Sequence, residues 1–221
     1  MPLRNLFSRL LFTYSLKKLV FGGSSGVANK VLHKLPDSLG KLENLQELSL
    51  DKLKRLTALP DTIGQLKSLT HLYMRECKGV VDIPDSIGDC GSLVEVSFAK
   101  CVSLRALPAS IRGWKELEDL SLTKCHSLTK LPETIGECSK LVEIDLRSCK
   151  NLTSLPDSLG NLRLRSLDLG CCPSLTALPL SLGDMSSLEL LDLSSCPALV
   201  SIPKSLLKVQ DRTVGLVEDE H

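Results

Sequence analysis

The sequence predicts an α/β solenoid, with a parallel β-sheet on one face, short helices or turns on the other, and coils stacked along a single axis. Two observations carry this. Pro36, Pro60, Pro84, Pro108, Pro132, Pro156, Pro179 and Pro203 recur every 24 residues, with one spacing of 23, and a fixed period of that length marks stacked supersecondary units. Each of these prolines closes a Leu-Pro or Ile-Pro pair, and about nine residues after each of the first seven stands an apolar triplet spaced x, x+3, x+5.

The triplets define the strands. They read Leu45, Leu48, Leu50; Leu69, Leu72, Met74; Leu93, Val96, Phe98; Leu117, Leu120, Leu122; Leu141, Ile144, Leu146; Leu164, Leu167, Leu169; and Leu188, Leu191, Leu193. The second and third members alternate with polar residues, so one side of each strand faces a core and the other faces away. After each strand, a Cys-x-x-Leu and a Pro-x-x-Ile/Leu-Gly segment turn the chain over the convex side and return it in the same direction. Successive strands must therefore be parallel.

Composition agrees with many small layers. Hydrophobic residues make up 43% of the chain but aromatics only 3%, so the interior is aliphatic and repeated rather than centred on one aromatic core. Lys plus Arg number 27 against 26 Asp plus Glu, which leaves no bulk field to attract nucleic acid or an anionic membrane. The charge is uneven: Arg4, Arg9, Lys17, Lys18, Lys30 and Lys34 precede the first acid, Asp37. An acid-free, Ser-containing start can be an organelle transit peptide, although Leu16, Leu19 and Phe21 fit a strand of the array. Arg9 interrupts the apolar run that a secretory signal would need, and no stretch approaches the ~20 apolar residues of a membrane span. The cytoplasm is the expected location, with organelle targeting through the basic N-terminus as the alternative.

The repeat Leu-x-x-Leu-x-Leu-x-x-Cys-x-x-Leu-x-x-Leu-Pro-x-x-Ile-Gly resembles the plant-type intracellular leucine-rich repeat, over roughly residues 16–207. Leu-Thr-Lys-Leu-Pro-Glu-Thr-Ile-Gly at 128–136 and Leu-Thr-Ser-Leu-Pro-Asp-Ser-Leu-Gly at 152–160 are similar to repeats of nucleotide-binding disease-resistance receptors and of Ras-signalling leucine-rich-repeat scaffolds. The resemblance implies a right-handed horseshoe that binds a protein partner on its strand face. It implies immune-type recognition in plant defence first; the alternatives are a scaffold in small-GTPase or phosphatase signalling and a regulatory fragment of a larger receptor. Residues 1–35 are read as a basic segment that caps the array or forms a degenerate first repeat. Residues 36–207 are the array of about eight repeats, and 208–221 are a tail or cap. No nucleotide-binding or ligase domain is legible, so any output is expected to come through a partner.

Two departures from the pattern are informative. Gly22, Gly23, Ser24, Ser25 and Gly26 lengthen the first repeat and predict a flexible excursion. They lack the Gly-Lys-Ser/Thr ending of a phosphate-binding loop, so they are read as a linker. The Asn161–Leu164 junction is one residue short and predicts a small kink.

Chemistry-bearing residues mostly have structural readings. Cys77, Cys101, Cys125, Cys149, Cys172 and Cys196 recur just after the strands, where a small buried side chain with a weak S–H donor can meet backbone carbonyls of the turn. The ~4.8 Å strand spacing does not itself exclude disulfides; a reducing compartment favours thiols. A ladder spreads sulfurs along a line instead of converging them on zinc, and no Cys-x-x-Cys pair occurs. Leu66, Cys90, Trp114, Cys138, Leu162 and Met185 share a second column beneath the convex turns. Asn151, Leu152 and Thr153 form a glycosylation sequon that needs a secreted context. His33, His71, His126 and His221 fall at unrelated places, so no catalytic triad can be assembled. Carboxylates pair across strands, but on an open solvated face nothing is expected to raise one pKa for acid–base work. No catalytic, cofactor or metal residue is nominated, and no enzyme activity is expected.

The informative surface is the outward side of the strands. Its second column reads Glu47, His71, Glu95, Asp119, Glu143, Ser166, Leu190, and its third Ser49, Tyr73, Ser97, Ser121, Asp145, Asp168, Asp192. An acidic stripe results, with Lys52, Lys100 and Lys124 on one flank beside Arg75 and Arg147. The candidate partner-binding residues are Glu47, His71, Tyr73, Arg75, Glu95, Lys100, Asp119, Lys124, Glu143, Asp145 and Arg147. Tyr73 is the one aromatic in these columns, and tyrosine is enriched among interface anchors. The partner is expected to be another protein rather than nucleic acid or membrane.

Overall fold

The computed structural model describes residues 15–21, 32–206 and 213–215. The Gly22–Gly26 excursion, the start of the chain and most of 208–221 lie outside them. The described residues form a single open sheet of nine parallel strands in chain order. These are β1 Lys18–Val20, β2 Glu47–Ser49, β3 His71–Tyr73, β4 Glu95–Ser97, β5 Asp119–Ser121, β6 Glu143–Asp145, β7 Ser166–Asp168, β8 Leu190–Asp192 and β9 Thr213–Gly215. Pairing is in register throughout, so that Glu47, His71, Glu95, Asp119 and Glu143 stand side by side. Leu19 and Phe21 are buried, as their apolar spacing predicts.

Strands are three residues long because the repeat allots no more before the chain must turn. Each convex return is a five-residue 3-10 helix: η1 Asp37–Lys41, η2 Asp61–Gln65, η3 Asp85–Asp89, η4 Ala109–Gly113, η5 Glu133–Glu137, η6 Asp157–Asn161 and η7 Leu180–Asp184. The recurrent proline precedes each, held extended at φ −64° to −75°, where its ring costs nothing and its carbonyl accepts the first i+3 bond, as in Ile63 N–H to Pro60 O at 2.9 Å. The glycine of Pro-x-x-Ile-Gly serves close stacking. A Cβ on Gly88 would lie 2.2 Å from the Ser110 carbonyl oxygen, and one on Gly136 2.4 Å from that of Ser158.

The interior is a continuous aliphatic column with two polar ladders inside it. In the first, each buried cysteine donates S–H to the carbonyl of the last apolar strand residue one repeat back: Cys77 to Leu50 at 3.1 Å, Cys101 to Met74 at 3.0 Å, Cys125 to Phe98 at 3.2 Å, Cys149 to Leu122 at 3.2 Å. Cys172 and Cys196 continue it to Leu146 and Leu169. In the second, beneath the convex turns, Cys90 donates to Ile63 O at 3.2 Å, the Trp114 indole N–H to Ile87 O at 2.9 Å, and Cys138 to Ile111 O at 3.3 Å. Trp114 is thus core, and its N–H does what a thiol does one repeat before and after. Burial pushes these thiols up, Cys138 to about 11 and Cys90, Cys149 and Cys172 to about 12, which keeps them protonated donors at neutral pH.

The residue before each ladder position is left-handed without being glycine: Lys52, Glu76, Lys100, Lys124, Ser148, Cys171 and Ser195 have φ between 54° and 65°. That conformation costs on the order of 1 kcal/mol each. It is held because its own N–H bonds the following repeat, as in Lys100 N–H to Thr123 O at 2.6 Å, while the next N–H turns back to the strand end, as in Cys101 N–H to Phe98 O at 3.0 Å. The short Asn161–Leu164 junction is absorbed at one corner. Leu162 is extended at ψ 162°, whereas the equivalent Cys138 has ψ 72°, and β6 and β7 stay in register.

Thiol reactivity follows from this packing. Under native conditions an alkylating reagent should modify Cys171, the exposed thiol, first and the fully buried ladder cysteines only after denaturation, as read by mass spectrometry. Cys125→Arg should lower the unfolding free energy by about 3–5 kcal/mol in urea titration because it strands a charge between repeats. Cys125→Ser, which keeps a donor, should cost much less.

Candidate partner-binding face

The concave side of the sheet presents the two outward columns, and the structure sorts their charges into two kinds. The first kind is structural. Asp145, Asp168 and Asp192 each accept the backbone N–H two residues on, from Arg147, Gly170 and Ser194 at 2.9 Å, so they cap the turn that follows the strand. Arg147 lies across two of them, with its Nε 2.9 Å from Asp168 and its Nη2 on Asp192. Arg75 makes a fork to Asp51, through Nε at 2.8 Å and Nη2 at 2.6 Å. Lys100 pairs with Glu76 at 3.3 Å and Lys18 with Glu47 at 2.8 Å. These pairs are exposed, and each contributes at most about 1 kcal/mol. Arg75, Lys100 and Arg147 therefore serve the turns and edges of the array, whereas the Lys124 ammonium, also on the flank, makes no such pair among the described residues.

The second kind has no such service. Asp119 and Glu143 make no hydrogen bond or ion pair among the described residues. Asp119 is half-buried between Glu95 on β4 and Glu143 and Asp145 on β6, and burial together with these like charges pushes its carboxyl up to about 6. This corrects the expectation that nothing on the open face raises a carboxylate pKa: strand neighbours crowd Asp119 and remove enough water to do so. The sequence could have shown the crowding, since Glu95, Asp119 and Glu143 are three consecutive members of one column. The loss of water could not be read there, because it depends on sheet curvature and on neighbouring side chains.

Tyr73 sits at the edge of this centre. Its hydroxyl donates to Glu95 Oε2 at 2.8 Å, and the Arg75 guanidinium lies 5.1 Å from its ring centroid. Burial and Glu95 hold its phenol above the ordinary tyrosine range. The His71 ring tilts against it at 6.2 Å, while His71 Nδ1 meets the Thr70 hydroxyl at 2.8 Å. In the sheet register Tyr73 stands between Ser49 and Ser97, two serines that are buried although they face the concave side.

Beside Tyr73 runs a trough of about 440 Å³ lined by Arg75, Glu95, Ser97, Ala99, Asp119, Ser121, Glu143, Ile144, Asp145, Ser166, Asp168 and Leu190. Five predicted residues meet there, Arg75, Glu95, Asp119, Glu143 and Asp145. Glu47, His71, Tyr73, Lys100, Lys124 and Arg147 lie outside it. The serines of the floor were missed as site residues, although the small-residue run Ser97, Ser121 in the third column was the available signal.

The leucine-rich-repeat family model matches residues 140–162, the segment that contains β6 and η6. The fold is the leucine-rich-repeat solenoid. Among solved structures, the leucine-rich repeat domain of the type III effector XopL aligns with a TM-score of 0.63 at 24% identity, over 83% of this chain and 72% of that one. Toll, in the Toll–Spatzle complex from Drosophila, aligns with a TM-score of 0.71 at 21% identity, over 95% of this chain but only 28% of Toll. A plant ice-binding protein aligns with a TM-score of 0.52 at 21% identity, over 77% of this chain and 59% of that one. No curated protein matches the chain in sequence. Among the described residues no helix is long and apolar enough to cross a membrane.

The Asp119 environment makes a signed prediction. Between its ordinary value of 3.8 and about 6, the folded chain holds a proton that the unfolded chain has released, so the stability this site allows is full at low pH and falls as pH rises through about 6. Asp119→Asn should therefore stabilise the protein at pH 7.5 by roughly 1 kcal/mol, a figure already reduced for solvent screening. The gain should vanish toward pH 3.5, as urea unfolding of both proteins across pH would measure.

Proposed function

We propose that this chain is a protein-interaction module that holds a basic partner on its concave face, centred on Asp119. The observation that carries this reading is the division of charges. Arg75, Lys100 and Arg147 are engaged with turn and edge acids, whereas Asp119 and Glu143 stand unpaired in a row at the strand spacing. Like charges so placed work against the fold, and a cationic partner turns that repulsion into attraction. A stack of three-residue strands is a rigid platform, so little ordering entropy is lost on the module side when a partner docks.

Immune-type recognition is the context we infer. It is supported by the resemblance of the 128–136 and 152–160 segments to disease-resistance repeats and by the fold that the chain shares with Toll, whose solved complex belongs to innate immunity. The thiol ladders suit a reducing compartment, which supports the cytoplasm as the place of action.

Affinity purification with mass spectrometry, run in parallel on the wild-type chain and the Glu95→Lys, Glu143→Lys double variant, tests the reading. The variant should fold with a melting temperature close to that of the wild type, because relief of the repulsion on Asp119 offsets the lost Tyr73–Glu95 hydrogen bond, and should lose the captured partner. With that partner purified, the double variant should show slower association and a shallower salt dependence. Tyr73→Ala should act mainly through faster dissociation. A partner held equally well by both variants, each folded by circular dichroism, would move the binding site off the concave face.

A further inference from the structure

The trough beside Tyr73 has a feature that an acidic patch alone does not explain. Ser97 is 6% exposed and lines the trough floor. Its hydroxyl has no hydrogen-bond partner among the described residues, whereas the Ser121 hydroxyl next to it meets Thr123 at 3.3 Å. Ser97 is thus more than nine-tenths covered, and it stands unpaired where it lines the trough. The floor is low because Ser97, Ser121 and Ser166 are small. The wall above it carries the unpaired Asp119 and Glu143 on adjacent strands, while at one end Arg75 is already tied to Asp51 and covers the Tyr73 ring.

We propose that this trough receives one arginine side chain of the partner, its stem lying over the Ser97–Ser121 floor and its guanidinium set between Asp119 and Glu143 with the Ser97 hydroxyl as a further acceptor. The inference rests on the reading of the concave face as the partner site and specifies what that site reads. Three properties favour arginine. Its stem is long and can lie on a shallow, mostly uncharged floor. Its five N–H donors in a flat fork match two carboxylates on neighbouring strands and one hydroxyl, more acceptors than the three donors of an ammonium can meet in one plane. It is also the more weakly hydrated cation, so entering a partly closed trough costs it less. The tied Arg75 keeps a second cation away from the Glu95 end and directs the head toward Asp119 and Glu143.

The test uses the full chain and three blocked peptides, acetyl-Gly-Ser-Arg-Ser-Gly-amide and the same peptide with lysine or citrulline at its centre, titrated by NMR. The arginine peptide should shift the amides of Ser97, Asp119 and Ser121. It should bind about tenfold tighter than the citrulline peptide, which keeps shape and loses charge, and a few-fold tighter than the lysine peptide. Ser97→Val, which leaves the charge unchanged, should weaken the arginine peptide several-fold, and Asp119→Asn should abolish the preference over citrulline. Equal affinities for the three peptides, or shifts confined to another face, would overturn the proposal. The captured partner separates this inference from the reading beneath it. If the partner is lost by the Glu95→Lys, Glu143→Lys variant but held normally by folded Ser97→Val, the arginine site falls and the concave face stands; if both variants hold it, both fall.

Discussion

A 24-residue coil has too little interior to fold by itself; its leucines are covered only when another coil lies on each side. That dependence on neighbours is the constraint from which the other features follow. Backbone carbonyls that point inward would be stranded among leucines, because a three-residue strand cannot satisfy them along its own length. The cysteine ladder removes the problem with a donor small enough to sit in the column, one per repeat, each reaching back to the strand end before it. In the second ladder Trp114 shows that such a donor need not be sulfur. Glycine in the convex turn, proline before it and the left-handed residue after each strand are then terms of one geometric repeat, set by how closely two coils must approach.

Stacking in register has an unavoidable consequence on the outer face. Whatever residue type recurs at a concave position is lined up with its copies at the strand spacing, so a column of acids becomes a row of crowded carboxylates. In the third column the crowding is put to structural use, since Asp145, Asp168 and Asp192 cap turns and share Arg147. In the second column it is not: Asp119 carries a raised pKa as the mark of an arrangement that the fold alone would not favour. Sites where local rules are broken without compensation within the fold are where function is sought. On this molecule that place is narrow, a few residues of β4 to β6 beside one tyrosine.

The sequence by itself determined the architecture. Proline spacing and the apolar triplets specified strand number, direction and register from β2 to β8, because a period of 24 leaves one way for each coil to cover the next. The thiol column, the core role of Trp114 and the membership of both concave columns were legible for the same reason: position within a repeat dictates environment. What only the tertiary structure decided was which charges are free. Arg75, Lys100 and Arg147 look like binding residues along the chain, yet the fold engages each with an acid from another repeat. Asp119 looks like any surface aspartate, yet its neighbours desolvate it. Ser97 looks incidental, yet beside Tyr73 it is buried and lines the trough. Pairing, desolvation and concavity are sums over side chains from several repeats, and a periodic sequence specifies the positions of those side chains without specifying which of them meet.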